Sequence, residues 1–189
     1  MLISPALNAA LREVRFDGDA RLDTSGVRQA QAAAHTVPAA DRMLHGPSER
    51  CAGTAGALGL RAEPEPALRG WDMGRWGGRR LAEVSGNEPE AVSAWLSDPS
   101  AAPHGGESLL ELCARAGDWL DSTLRDAAGG GRVLAVVEPT VARAVLVHAL
   151  DLPVPAFWRL DVPPLTLTEL SGRSGRWNLR CGRPLSAGS

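Results

Sequence analysis

The stretch Val133-Leu134-Ala135-Val136-Val137-Glu138-Pro139-Thr140, running on into Val141 to Leu150, leaves the chain little architectural freedom. It opens with an unbroken apolar run, breaks at Glu-Pro-Thr and resumes as an Ala/Val/Leu pattern of helical period. A short run that is apolar throughout, without alternation, reads as a strand covered on both faces. The helix after it packs back on the sheet. In open α/β sheets the crevice at the carboxyl ends of the strands is where ligands sit, and Glu138 falls there. A charged residue at that point is either a site residue or a turn residue that escapes to water.

The rest of the chain repeats the strand–helix theme. Met1-Leu2-Ile3 starts a buried strand that stops at Ser4-Pro5, and Asn8 to Phe16 has no clear pattern. Asp17-Gly18-Asp19 is a turn. Thr24-Ser25-Gly26 caps a helix from Val27 to His35, and Arg42 to His45 is a second strand. Ser48 N-caps a helix that Gly59 ends. The region Glu63 to Gly70 is Pro-rich and extended, and Trp71 to Arg80 reads as a packed loop. Short helices follow at Leu81–Val84 and Pro89–Leu96. Glu107 to Ala127 is the best amphipathic helix, with Leu109, Leu112, Cys113, Ala116, Trp119, Leu120 and Leu124 at helical spacing and Gly129-Gly130-Gly131 behind it. Leu165–Leu170 and Arg176–Leu179 flank Ser171 to Gly175 as an antiparallel hairpin. The expected class is α/β: a three-layer α/β/α sandwich with a mainly parallel sheet, helices on both faces and a C-terminal antiparallel hairpin. It forms one domain over 1–183 with a loose tail at 184–189.

Composition narrows the partners. Twenty basic and 22 acidic residues give a net charge of -2, so no nucleic-acid or anionic-membrane field is expected. Every basic residue is Arg and Tyr is absent, which with abundant Ala, Gly and Pro suggests a high-GC bacterial coding bias. Cys51, Cys113 and Cys181 are widely spaced and odd in number, which fits reduced thiols in a cytoplasm better than disulfides or a zinc site. No apolar stretch reaches membrane-spanning length.

The segment order resembles the histidine phosphatase, or phosphoglycerate mutase-like, superfamily. Phe16-Asp17-Gly18-Asp19, Leu22 to Gly26 and Gln29-Ala30 look like its first loop and helix. Gly46-Pro47-Ser48-Glu49-Arg50 and Thr54-Ala55 look like its Ser-Pro-x-x-Arg…Thr-Ala helix. Asp72-Met73-Gly74-Arg75-Trp76 resembles its Asp-Phe-Gly-x-Trp loop, and Gly105-Gly106-Glu107-Ser108 its Gly-Gly-Glu-Ser helix start. Met1 to Ala6 sits where the family reads strand–Arg-His-Gly, and Val136-Val137-Glu138-Pro139 where it reads Val-Thr-His-Gly. The pieces cover most of the chain in the family's order.

The resemblance implies a chemistry that these residues do not supply. The family attacks phosphorus with a histidine at the end of the first strand, holds the phosphoryl group with two Arg and a second His, and protonates the leaving oxygen with an acid. Here the nucleophile position is Pro5, its neighbouring Arg is Ser4, the second His is Glu138, and the acid, two residues before Asp72, is Gly70. Arg50 alone remains. A carboxylate about 4 Å from an anionic phosphate costs roughly 1 kcal/mol in water and about 4 at an effective dielectric of 20. Glu138 therefore repels the family's ligand and is expected to pair with Arg50 instead.

Other residues carry two readings each. His45, at the second strand's end, and His104, before the Gly-Gly-Glu-Ser segment, are either catalytic assistants or ordinary strand-end and loop histidines. His35 and His148 read as structural. Ser4, Asn8 and Arg12, with Arg50 and Glu138, form the candidate ligand-binding set; Asn8, Arg12 and Arg15 either line the crevice floor or are ordinary polar residues facing water. A metal site from His45, His104 and Glu138 is allowed by residue type, but no metal and no organic cofactor is expected. Trp71 and Trp76 pack the loop or offer a stacking platform, and Glu107 begins its helix.

Three functions follow. The leading one is a degenerate member with the fold kept, phosphoryl transfer lost, and a role in binding a small molecule or a protein, with a homodimer allowed. The second is a repurposed enzyme with Glu138 as acid or base, Arg50 as anion clamp and His45 or His104 assisting. The third is a residual phosphatase or mutase.

Overall fold

Val133–Val136, here β4, runs through the middle of the sheet, and the other elements are placed by it. The computed structural model describes residues 1–16, 19–126, 131–173 and 176–181. Its other strands are β1 (Leu2–Ile3), β2 (Arg42–His45), β3 (Glu63–Pro64), β5 (Leu167–Arg173) and β6 (Arg176–Arg180). The helices are α1 (Ala9–Arg12), α2 (Thr24–Ala33), α3 (Glu49–Ala57), α4 (Leu81–Asn87), α5 (Pro89–Ser97), α6 (Leu109–Asp126) and α7 (Pro139–Ala149). The sheet order is β3-β2-β4-β1-β5-β6. β3, β2, β4 and β1 are parallel, and β5 and β6 add an antiparallel edge.

Alternation along β4 divides the core in two. Leu134 and Val136 pack with Ile3, Ala30, Cys51, Ala55 and Leu58 on the α2/α3 face. Ala135 and Val137 pack with Leu2, Leu44, Leu112, Trp119, Val145 and Phe157 on the face of α6 and α7. Both faces of β4 are thus buried, which is why its sequence is apolar without alternation. Among the described residues no helix is long and apolar enough to cross a membrane.

Local chemistry sets the ends of the helices. Ser48 Oγ accepts from Cys51 N at 3.2 Å, and Gly59, at φ +74°, stands beyond the end of α3. Two expected helix starts move. The Asp23 carboxylate caps α2, accepting from Gly26 N at 2.8 Å, so the helix begins at Thr24 and not at Val27. Gly26 lies inside its first turn because a Cβ there would stand 2.5 Å from Leu7 O. Glu107 precedes α6 and does not begin it. Ser108 and Glu111 form a capping box: Ser108 N donates to Glu111 Oε2 at 2.8 Å and Glu111 N donates to Ser108 Oγ at 3.2 Å. These bonds hold the Glu111 carboxyl below its ordinary pKa, the Ser108 backbone N–H first and its hydroxyl second. Ser108→Ala is expected to cost about 1 kcal/mol and to lower the melting temperature by roughly 2–4 °C in a calorimetric scan.

The Pro-rich Glu63–Pro64 segment pairs with β2 as an edge strand, where a proline's missing N–H does no harm. α4 runs on to Asn87 and β5 to Arg173. The expected turns at Asp17-Gly18, Gly129-Gly130 and Ser174-Gly175, and the tail at 184–189, lie outside the described residues.

Candidate functional site

β1 and β4 are in parallel register, Ile3 beside Val136, so Ser4-Pro5 and Val137-Glu138 leave the sheet side by side. His45 is in register with the same Val136. Glu138 takes the N-cap position of α7, yet its side chain makes no capping bond. It turns to α3. Arg50 grips both carboxylate oxygens, Nη2 on Oε2 and Nε on Oε1 at 3.3 Å. Ser48 Oγ donates to Oε1 at 2.8 Å, and Cys51 Sγ lies 3.5 Å from the same oxygen. The expected ion pair forms, and it is dry: Arg50 is 4% exposed and Glu138 3%.

The chain after β1 is tied to the same helix. Arg50 Nη1 donates to Ala6 O at 3.5 Å, and Ala6 N donates to Thr54 Oγ1 at 3.2 Å. Pro5 between them is buried, and Ala6 is fully so. The sheet end therefore presents a guanidinium paired with a carboxylate of the same chain, beside a buried proline. Of the described residues that the resemblance places at this sheet end, Arg50 is the one cation, and Glu138 holds it.

The remaining sequence candidates are placed elsewhere or held by other partners. Ser4 Oγ donates to Pro163 O and accepts from Thr166 N at 3.0 Å, on the β5 side. Asn8 is the N-cap of α1, its Oδ1 accepting from Leu11 N at 3.0 Å while Nδ2 donates to Ala20 O at 2.8 Å. Arg12 pairs with Asp23 at the surface, and Arg15 with Glu13 at 2.9 Å. His45 bonds through Nδ1 to Gly46 O at 2.7 Å. His104 is in a separate loop, its ring 5.1 Å from that of Trp76. Among the described residues no three of His, Cys, Asp and Glu gather to hold a metal, so His45, His104 and Glu138 do not form a site. Trp71 and Trp76 are buried in an aromatic cluster, 5.4 Å from Trp95 and 5.5 Å from Phe16 respectively, and are packing, not a platform.

Some partners escaped sequence reading. Ser48 was legible as a cap but not as a ligand of Glu138. Beside Gly70, Arg115 closes a second network, donating to Glu107 Oε2 at 2.6 Å, Ala67 O at 2.8 Å and Gly70 O at 3.3 Å, with Arg69 on Glu107 at 3.2 Å.

Comparison with known proteins agrees with this frame. The model of the family described as histidine phosphatase superfamily (branch 1) matches residues 6–182. A glucosyl-3-phosphoglycerate phosphatase of Mycobacterium tuberculosis is 35% identical over 103 residues, 51% of this chain and 46% of that protein. This chain thus spans less than half of that relative's length. The solved structure called mycobacterial hydrolase 1 superposes with a TM-score of 0.83 at 27% identity, covering 95% of each chain. That of a mycobacterial glucosyl-3-phosphoglycerate phosphatase gives 0.81 at 26% identity, covering 94% of each.

Proposed function

This chain belongs to the histidine phosphatase superfamily, and on that footing we propose that it has given up phosphoryl transfer for a non-catalytic role in binding a small molecule or a protein. The observation that carries this reading is the buried Arg50–Glu138 pair. The resemblance assigns Arg50 to the phosphoryl group, and here that guanidinium is satisfied by a carboxylate of the same chain. A phosphate brought to about 4 Å from Glu138 meets a repulsion of about 4 kcal/mol at an effective dielectric of 20. Pro5, at the nucleophile's position, has no side-chain nitrogen to attack phosphorus. A cytoplasmic location is part of this proposal and rests on the spacing of the cysteines.

The test is hydrolysis of a generic aryl phosphate and of glucosyl-3-phosphoglycerate by the purified protein, beside its Arg50→Ala variant. The expected result is no turnover above that of the variant. Turnover that disappears in Arg50→Ala would overturn the proposal and restore the residual phosphatase reading.

A further inference from the structure

Loop residues 71–76 and 103–107 are zipped together around one histidine. Arg75 N donates to His104 O at 3.0 Å, Glu107 N to Asp72 O at 2.9 Å, and Trp71 Nε1 to Glu107 O at 2.6 Å. The Arg75 guanidinium adds a bond to Pro103 O. Gly74 and Gly106 let the two backbones touch: a Cβ on Gly74 would collide with His104 O, and one on Gly106 with Asp72 O.

His104 is 1% exposed at the centre of this contact. Gly106 N donates to its Nδ1 at 3.1 Å. An accepting Nδ1 carries a lone pair, which places the proton of the neutral ring on Nε2. That buried Nε2 has no hydrogen-bond partner among the described residues. A proton added at Nδ1 would face the Gly106 N–H donor to donor and would bury a cation beside the Trp76 ring.

We propose that His104 is the proton-sensitive pin of this clasp: the loops stay zipped while its imidazole is neutral and part when Nδ1 takes a proton. The charged neighbours do not rescue the cation. Burial pushes the His104 pKa below the ordinary histidine value; Asp72 opposes it by favouring the protonated ring, and Arg75 adds a smaller push downward. Glu88 at the start of α5 is committed to Arg75, Arg79 and Trp76 Nε1, and Glu107 to Arg115 and Arg69. The zipped ring thus binds a proton less readily than the parted one. The clasp is fully favoured above the ordinary histidine value of about 6.5. As pH falls from there, the parted population rises about tenfold per unit until the zipped ring's own pKa is reached. Parting frees a segment that carries the core residues Trp71, Met73 and Trp76.

Two measurements on the whole chain test this. The ring nitrogen shifts of His104 should report the Nε2–H tautomer and titration below 6.5. Hydrogen exchange at the Gly106 and Arg75 amides, corrected for its intrinsic pH dependence, should lose protection about tenfold per pH unit below about 6.5. His104→Asn keeps an acceptor for Gly106 N–H but cannot titrate, so its protection should stay flat over the same range while Asp72 and Glu88 remain. A proton on Nδ1 at neutral pH, or a His104 that titrates at or above the ordinary value, would overturn the proposal, as would an unchanged pH dependence in His104→Asn. If the Asn variant does not fold, the tautomer and titration of the unmodified chain decide alone.

Discussion

Glu138→Ala is expected to destabilise this protein by about 3–5 kcal/mol, the cost of leaving a buried charge without its partner. Arg50 then lies 4% exposed with a guanidinium that has lost both Glu138 oxygens. Ser48 loses the acceptor of its hydroxyl proton as well. At about 2–4 °C per kcal/mol for a chain of this size, the melting temperature should fall by roughly 6–20 °C. Arg50→Ala should be comparably harmful, because it strands the carboxylate instead. The Arg50→Met, Glu138→Leu double variant should recover most of the loss, since replacing both ends of a buried pair by apolar groups of similar volume is often neutral or stabilising. Denaturant unfolding of the unmodified chain, Arg50→Met, Glu138→Leu and the double variant closes a double-mutant cycle. Single variants that lose less than about 1 kcal/mol, the range of solvent-screened pairs, would mean that water reaches the site and that the closed sheet end described above is wrong.

The second large effect is expected on the opposite face of the sheet. Trp76 is fully buried, with its ring 5.5 Å from Phe16, 5.8 Å from Trp95 and 5.1 Å from His104. Its indole N–H donates to Glu88 Oε2 at 3.3 Å. Trp76→Ala removes the middle of that cluster and should cost about 3–5 kcal/mol. Trp76→Phe should cost less, keeping part of the ring contacts while losing the bond to Glu88 and the volume of the second ring. Urea midpoints at constant m-value would read this as stability, and near-ultraviolet circular dichroism should lose its aromatic bands together with the midpoint. A Trp76→Ala midpoint equal to that of the unmodified protein would show that the loop is not part of the core.

How much of this was legible in the sequence depends on how far apart the deciding groups lie. The β4–α7 unit was legible because its signals are local: an apolar run, a break at Glu138-Pro139, then a helical period. Ser48 announced α3 for the same reason, since a cap is a bond between residues three apart. The start of α2 is not fixed by local sequence because Asp23 and the hydroxyls of Thr24 and Ser25 compete for the same helix end, and in the fold the carboxylate caps it. A carboxylate suits a helix N-terminus, which points to Glu107 as the start of α6, but a bidentate partner eight residues on holds it more strongly.

The site divides along the same line. That Glu138 would stand at the end of a central strand followed from residue type and element order; that Arg50 would be its counter-charge followed from the family resemblance, which places both at the phosphoryl pocket. That the pair is closed from water, shares Ser48 and Cys51, and excludes Ser4, Asn8 and Arg12 was decided only by tertiary packing. The tautomer of His104 was likewise set by Gly106 and the loop folded over it, not by the histidine itself. Periodicity and capping act over a few residues and can be read along the chain. The partner of a buried charge, 88 residues away in the case of Arg50 and Glu138, is chosen by which surfaces the fold brings together and dries.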